Sequence, residues 1–303
     1  MLTRAALSPA SSQPKFNHMH PIFASIVHNP TSYQVGPLQL TGFGLAVLMA
    51  FVIAQVITQR ELARRGRDPE PVGDIVFAAV VGGLLGGKLY YAVLMHDASA
   101  IFSRAGFVFW GGLMGGIIAC YIVIHRKHLS FTRISDVAGI ALAAGYSLGR
   151  TGCWAVGDDY GRPFAGFGAV SFPNGAPPST VANMTQLFHI PAPATAPPNQ
   201  VLSVYPTQLY EVVLGFVMFL ILWRFRGHKH AEGWLFGLYC LLAGVERFFM
   251  EFLRAKDDRF VMNIFTTAQV IALAFAIGGG IWMYLRRTPG PDAPGIYAVP
   301  QAA

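Results

Sequence analysis

Charge is what this 303-residue chain has least of, with Asp, Glu, Lys and Arg together making up 12% of it. Soluble domains carry about 25%. A soluble globule of this length would bury a large core and still need a charged coat, so that class is excluded. Cysteine is nearly as scarce. Cys120, Cys153 and Cys240 make no framework of pairs, and the two lying within apolar runs read as small packing residues. The first twenty residues contain no apolar core flanked by a cleavage site, so no removable signal peptide is expected. Metal-ligand spacing is also missing. His18 and His20 stand near a terminus, and His125, His128, His228 and His230 fall in basic loops, where they read as interfacial residues. With no nucleotide-binding motif either, neither a metal nor a cofactor is expected.

Long apolar runs are abundant instead. Apolar residues make up 53% of the chain, and a hydrocarbon core of about 30 Å needs about 20 helical residues to cross it. Seven stretches qualify, at 37–57, 73–95, 105–125, 135–156, 207–225, 233–254 and 265–285. The fold class expected is an all-α integral membrane protein of about seven transmembrane helices, with a small external segment between spans four and five. Gly82-Gly83, Gly86-Gly87, Gly111-Gly112 and Gly115-Gly116 suit close helix–helix packing.

The formal net charge of +7 could suggest nucleic acid, but its distribution argues against that partner. Arg60, Arg64, Arg65 and Arg67 follow the first span, and Arg126, Lys127 and Arg133 the third. Arg224, Arg226 and Lys229 follow the fifth, and Arg286 and Arg287 the seventh. These alternate loops belong on the cytoplasmic side. The N-terminus is then outside and the C-terminus inside; Arg254, Lys256 and Arg259, mixed with Asp257 and Asp258, are the one basic group on the outer side. This reading gives an external segment over 1–36, a membrane domain over 37–286 and a disordered cytoplasmic tail over 287–303.

Orientation places the unusual residues by depth. Lys88, Arg150, Arg247, Glu251 and Arg254 fall in the outer half of their spans. Gln208, Tyr210 and Glu211 lie just inside the start of the fifth, and Phe43 and Trp110 begin inward-running spans at the same level. An intramembrane charge costs about 2.5–3.5 kcal/mol or more, so it is usually paired or functional. Snorkelling to the headgroups explains Lys88 or Arg254 as well as function does, but not Glu211 and Glu251, whose stems are short. Arg247, Glu251 and Arg254 share one helical face at i, i+4 and i+7, where an intrahelical ion pair is the plainer reading. With Arg150 and Lys88 added, the layer has a positive excess suited to an anionic phospholipid headgroup. That much implies lipid contact, and a binding patch would look the same as a catalytic one.

Segment 149–163 is the densest constellation. Gly149, Gly152, Gly157 and Gly161 permit turns and close approach, among Arg150, Asp158, Asp159 and Arg162. A helix end and surface turn would share this composition. The Pro- and Gly-rich stretch that follows, to residue 204, is either a small external subdomain or a mobile lid.

From about residue 20 to 285 the chain resembles the prolipoprotein diacylglyceryl transferases of bacterial inner membranes. Three motifs carry the resemblance in order: Gly149-Arg150-Thr151-Gly152-Cys153-Trp154 with Asp158 and Gly161, then Tyr205-Pro206-Thr207-Gln208-Leu209-Tyr210-Glu211, then Arg247-Phe248-Phe249-Met250-Glu251-Phe252-Leu253-Arg254. The resemblance implies transfer of the diacylglyceryl group of phosphatidylglycerol to the lipobox cysteine of a preprolipoprotein signal peptide, with glycerol phosphate leaving. On that reading Arg150 and Arg247 bind the phosphate and stabilise the leaving group. Glu251 orients Arg247, and Lys88, Gly152, Cys153, Gly161, Gln208, Tyr210 and Arg254 line the headgroup site beside Glu211. Membrane lipids are the remaining partners.

The chain departs from the family pattern at six places. Trp110 stands where the pattern has His, Cys153 where it has Asn, and Asp158 where it has Glu. Phe43 replaces Tyr, Lys88 replaces Arg, and Tyr205 replaces His. The substrate thiol must lose its proton, and Asp158, Asp159 and Glu211 are the acceptors in view. Cys153 reads either as a covalent nucleophile or as a small buried residue. Two other functions fit the same residues: an enzyme of this fold acting on another lipid donor or acceptor, and a non-catalytic phospholipid-binding or transport protein.

Overall fold

The computed structural model describes residues 26–35, 38–102, 106–191, 196–256, 259–261 and 264–289. His18, His20 and most of the terminal segments lie outside these. The described chain is mostly helical. Short strands β1 (Ile26–Val27), β2 (Ser32–Val35) and β3 (Leu38–Thr41) lead into α1 (Gly42–Arg64), α2 (Pro71–Met95), a 3-10 turn, α3 (Phe109–Arg126) and α4 (Phe131–Val156). Strand β4 (Val170–Ser171), helix α5 (Val181–Gln186) and strand β5 (Ser203–Val204) come next, before α6 (Thr207–Phe225) and α7 (Trp234–Met250). The last elements are β6 (Arg259–Val261), β7 (Phe265–Thr266) and α8 (Thr267–Leu285).

Side-chain caps set several helix starts. Thr41 accepts from the Gly44 N–H at 3.1 Å, Ser130 accepts from Arg133, and Thr266 with Gln269 makes a full capping box at α8. Each of the seven long apolar runs holds one helix, but the ends differ. Helix α1 runs on to Arg64 because Glu61, buried there, pairs with both Arg64 and Arg65. Helix α7 stops at Met250, four residues short of the expected end.

Among the described residues, five helices are long and apolar enough to cross a membrane: α1, α2, α3, α6 and α8. The two others are interior. Half of the 26 residues of α4 are buried, and α4 packs on α1, α6 and α7, so protein rather than lipid solvates its Arg133, Asp136 and Arg150. Helix α7 has 17 residues and contains Glu246 and Arg247. The short strands qualify the all-α expectation without altering it: they tie loops together, and β4 and β5 contribute one buried valine each to a small cluster outside the helix bundle.

Glycine pairs set the α2–α3 distance. A Cβ on Gly82 would lie 2.6 Å from the Gly115 carbonyl oxygen and 2.5 Å from the Ala119 Cβ, and Gly86 and Gly111 exclude each other's side chains in the same way. A Cβ on Gly73, in the same helix, would meet nothing within 4 Å. Gly82→Val should therefore destabilise the protein by about 1–3 kcal/mol, while Gly73→Ala, a helix position with room for the methyl, should be neutral or stabilising by up to about 1 kcal/mol. Thermal unfolding in detergent measures both, and equal midpoints for the two variants would overturn this account of the contact.

The ends of the bundle are polar. At one, Asp136 is fully buried and accepts from the Gly233 and Phe236 N–H groups, both at 2.8 Å, so a carboxylate on α4 caps α7. Arg133 pairs with Glu232 there at 2.5 Å. At the other end, residues 157–191 and 196–204 fold into a packed unit. Tyr160, Val170, Phe172, Met184, Ile190 and Val204 form its core together with Ala255. Strand β4 pairs antiparallel with β5 and parallel with β1. This segment thus carries a buried apolar cluster of its own.

Candidate active site

The polar layer is assembled where α4, α6 and α7 meet this subdomain. Arg150 comes from the last turns of α4, which ends at Gly157 in the left-handed region (φ 69). Asp159 is left-handed as well (φ 53), a conformation that Asp tolerates better than most residues. The first turn of α6 pins this loop: Gln208 Nε2 donates to the Asp158 carbonyl at 2.5 Å, and Thr207 Oγ1 to that of Asp159 at 2.8 Å. A bridge between Gly161 and Arg254 brings in the turn after α7. At Gly161 a Cβ would lie 2.6 Å from both the Leu253 carbonyl and the Tyr205 Cβ.

Three guanidiniums and three carboxylates interlock there. Glu211, buried on α6, pairs with Arg150 and lies 3.7 Å from Arg254 and 3.9 Å from Arg247. Asp159 takes Arg150 at 2.8 Å and Arg254 at 2.5 Å. Glu251 holds Arg247 at 2.5 Å and accepts from Thr266 at 3.2 Å. The Arg247 side chain is 31% exposed, against 17% for Arg254 and 9% for Arg150. Arg247 is thus the most open cation, and Arg150 is the keystone beneath it.

This arrangement corrects two expectations. Arg254 lies beyond the end of α7 and reaches the web through a turn, not from the helical face of Arg247 and Glu251. The web also has no positive excess: Arg150, Arg247 and Arg254 are matched in number by Asp159, Glu211 and Glu251. An incoming phosphate therefore competes with carboxylates for guanidinium nitrogens that are already positioned.

Of the other expected residues, Gln208 and Gly161 act through the backbone contacts above. Gly152 is a packing residue, since a Cβ there would lie 2.9 Å from the Ala46 Cβ and 3.1 Å from the Phe43 Cα on α1. Lys88 and Tyr210 make none of the web's ion pairs; Lys88 belongs to α2, which packs chiefly on α3. Trp110 is half-exposed with its ring edge-on to Phe109, and Tyr205 stacks on Phe164 with centroids 4.0 Å apart.

The Cys153 sulfur accepts from Arg150 at 3.3 Å and lies within 4.8 Å of carboxylate oxygens of Asp158 and Asp159. That spacing alone would suit a metal ion. Both Asp159 oxygens are held by guanidiniums, however, and a third cation–ligand contact uses the sulfur, so arginine occupies the positions a metal would need. Asp158 differs from its neighbours. Its Oδ1 is buried without a hydrogen-bond partner among the described residues, and burial, then the adjacent Asp159, pushes its pKa up to about 6. In Asp159 the opposing effect of Arg254 and Arg150 outweighs burial and holds the pKa below the usual carboxylate value.

One half-buried pair has no counterpart among the sequence expectations: Tyr146 on α4 donates to Glu246 on α7 at 3.0 Å. Glu246 inside an apolar run was a visible signal; Tyr146 offered none.

Residues 30–285 match the family model described as prolipoprotein diacylglyceryl transferase. The chain belongs to this family. The phosphatidylglycerol–prolipoprotein diacylglyceryl transferase of Nitratidesulfovibrio vulgaris is 30% identical over 281 residues, covering 88% of this chain and 96% of that protein. The proteins of the same name from Xanthomonas oryzae pv. oryzae and Xanthomonas campestris pv. campestris are each 31% identical, with 86% of this chain and 92% of theirs covered. Arg150, Glu211, Arg247, Glu251 and Arg254 come from the three motifs, Asp159 joins them from the loop between, and the replaced positions Phe43, Lys88, Trp110 and Tyr205 make none of the web's ion pairs.

Proposed function

We propose that this chain transfers the diacylglyceryl group of phosphatidylglycerol to the lipobox cysteine of prolipoproteins, with the Arg150–Arg247–Arg254 web as the phosphate site. The observation that carries this reading is one layer of three guanidiniums, each already aligned by a buried or partly buried carboxylate. Preorganised donors of this kind act on charge as it develops and need no reorganisation. Here the substrate phosphodiester carries one negative charge, and the leaving glycerol phosphate gains a second as the carbon–oxygen bond breaks. Arg247, the most open guanidinium, receives the phosphate first. Arg150 and Arg254 hold the growing charge, while Glu251 and Glu211 keep the guanidinium planes in place.

The acceptor thiol loses its proton, and the sulfur attacks the glyceryl carbon that bears the phosphate. A carbon–sulfur bond forms as the carbon–oxygen bond breaks. Of the three acids expected to serve as base, Asp159 and Glu211 are each engaged by more than one arginine. Asp158 has an oxygen without a partner and a pKa near 6, which makes it the proton acceptor. Cys153 serves as a contact between Arg150 and this acid, and the attacking sulfur belongs to the substrate. All seven long helices span the membrane, α4 and α7 inside the bundle. The subdomain and the web lie at the outer face, and the basic loops and C-terminus lie in the cytoplasm.

Transfer from phosphatidylglycerol to a lipobox peptide, followed by mass spectrometry, tests the activity; a well-expressed protein that never modifies the peptide would refute it. The role of Asp158 has its own signature. The rate should rise with pH through about 6 as the carboxyl ionises, and Asp158→Asn should lose that limb and about 10²–10⁴ in rate. Stability should move the other way. A carboxyl whose folded pKa is raised contributes stability below its unfolded pKa and loses it as pH rises through the folded value. Asp158→Asn should therefore be at least as stable as the parent at pH 8, and an unchanged pH–rate profile would remove Asp158 from the mechanism.

A further inference from the structure

We infer that a groove between α4, α7 and α8, at the end of the bundle remote from the arginine web, holds one acyl chain of an anionic phospholipid whose phosphate rests on Arg286. The groove has a volume of about 450 Å³ and is walled by residues that include Phe131, Ser135, Phe236, Gly237, Gly278 and Trp282. No charged side chain lines it. The Ser135 hydroxyl donates to the Phe131 carbonyl at 2.8 Å, and Thr132 is bonded to Ser130. A polar occupant would find no partner inside, whereas a hydrocarbon chain would lose nothing by entering.

Two further features point to a ligand rather than to loose packing. Gly278 lines the groove, yet a Cβ there would meet nothing within 4 Å. Its neighbour Gly279 is different, since a Cβ would lie 2.6 Å from the Gly237 carbonyl. Packing within the chain thus requires glycine at 279 but at neither 278 nor 280, and of these two unforced glycines it is Gly278 that leaves open space on the groove wall. The second feature is the mouth. The Arg286 guanidinium lies 4.8 Å from the ring of Trp282, which lines the groove, and that of Arg287 lies 3.8 Å from Tyr284. Neither arginine has a carboxylate partner among the described residues. An apolar slot whose wall residue Trp282 carries a cation stacked on its ring, with a second arginine next to it in sequence, matches a phospholipid with net negative charge.

The test uses the full chain in vesicles of phosphatidylcholine doped with phosphatidylglycerol carrying a photoreactive acyl chain, with adducts mapped by peptide mass spectrometry. Adducts should appear on residues 233–240 and 274–282. Unlabelled phosphatidylglycerol should compete for them better than phosphatidylcholine. Gly278→Phe, whose Cβ clashes with nothing and whose ring packs into the slot, should lose these adducts and keep both transfer activity and adducts near the arginine web. Arg286→Gln should weaken the competition by anionic lipid about fivefold, and Arg286→Gln with Arg287→Gln by more. Equal labelling by a phosphatidylcholine probe, or unchanged labelling in Gly278→Phe, would overturn the inference and mark the groove as ordinary lipid-facing surface.

Discussion

Arg150→Ala is expected to abolish transfer and to lower stability at the same time, the largest double effect of any single change in this protein. The guanidinium holds Glu211, Asp159 and the Cys153 sulfur, and its side chain is only 9% exposed. Removing it leaves Glu211 buried without its nearest cation. Breaking a buried pair from one side costs about 3–5 kcal/mol, because the remaining charge has been stripped of water and has lost its partner. A second substitution separates the two losses. Adding Glu211→Gln to Arg150→Ala removes the stranded charge, so unfolding in detergent should recover much of its midpoint while transfer stays absent. If the double variant is no more stable than the single one, the cost does not come from the stranded carboxylate. Arg150→Lys should fold better than the alanine variant and still be slow, because one ammonium cannot meet two carboxylates and a sulfur in the plane that the guanidinium spans.

Arg247→Ala should show the complementary pattern, a large loss of rate with a smaller loss of stability. Its side chain is the most open of the three, and Glu251 keeps the Thr266 hydroxyl after the guanidinium is gone. Loss of a preorganised donor to a developing negative charge costs about 10²–10³ in turnover. Steady-state transfer at saturating phosphatidylglycerol should therefore fall by that factor, and the fall should exceed any rise in KM. If KM alone rises, Arg247 binds the ground state and the transition state equally and does not support the leaving group.

The helices, their order and the layer of charge were legible in the sequence because each rests on a local signal. Apolar runs of about 20 residues, paired glycines and the depth of a charge along a span can be read one element at a time. The charge balance of the layer was not legible. Glu211 and Asp159 are 52 residues apart, and only the pinning of Asp158 and Asp159 by Gln208 and Thr207 makes them share Arg150 and Arg254. Arg254 was assigned to the face of Arg247 because the i+7 spacing fits a helix, but α7 ends before it. Depth places Lys88 at the level of the layer, but depth is a coordinate that cannot distinguish neighbouring helices from distant ones. Strands of two residues in the 157–204 subdomain are too short to show any alternation. The choice among the three candidate bases likewise depended on which oxygens the arginines had left open.

The interior position of α4 has a consequence for how the chain is made. Arg150 is synthesised 61 residues before Glu211, so the helix that carries it must leave the ribosome with its main counter-charge still untranslated. Its nearest early partner is Asp159, nine residues downstream, in a loop whose fixed shape itself waits for Thr207 and Gln208. Until α6 emerges, lipid offers α4 no partner for its cation, and insertion of α4 by apolarity alone is unfavourable. On the seven-span topology proposed above, α4 and α6 would enter the bilayer as a unit, and a nascent chain truncated after α4 should remain at the translocon or be degraded.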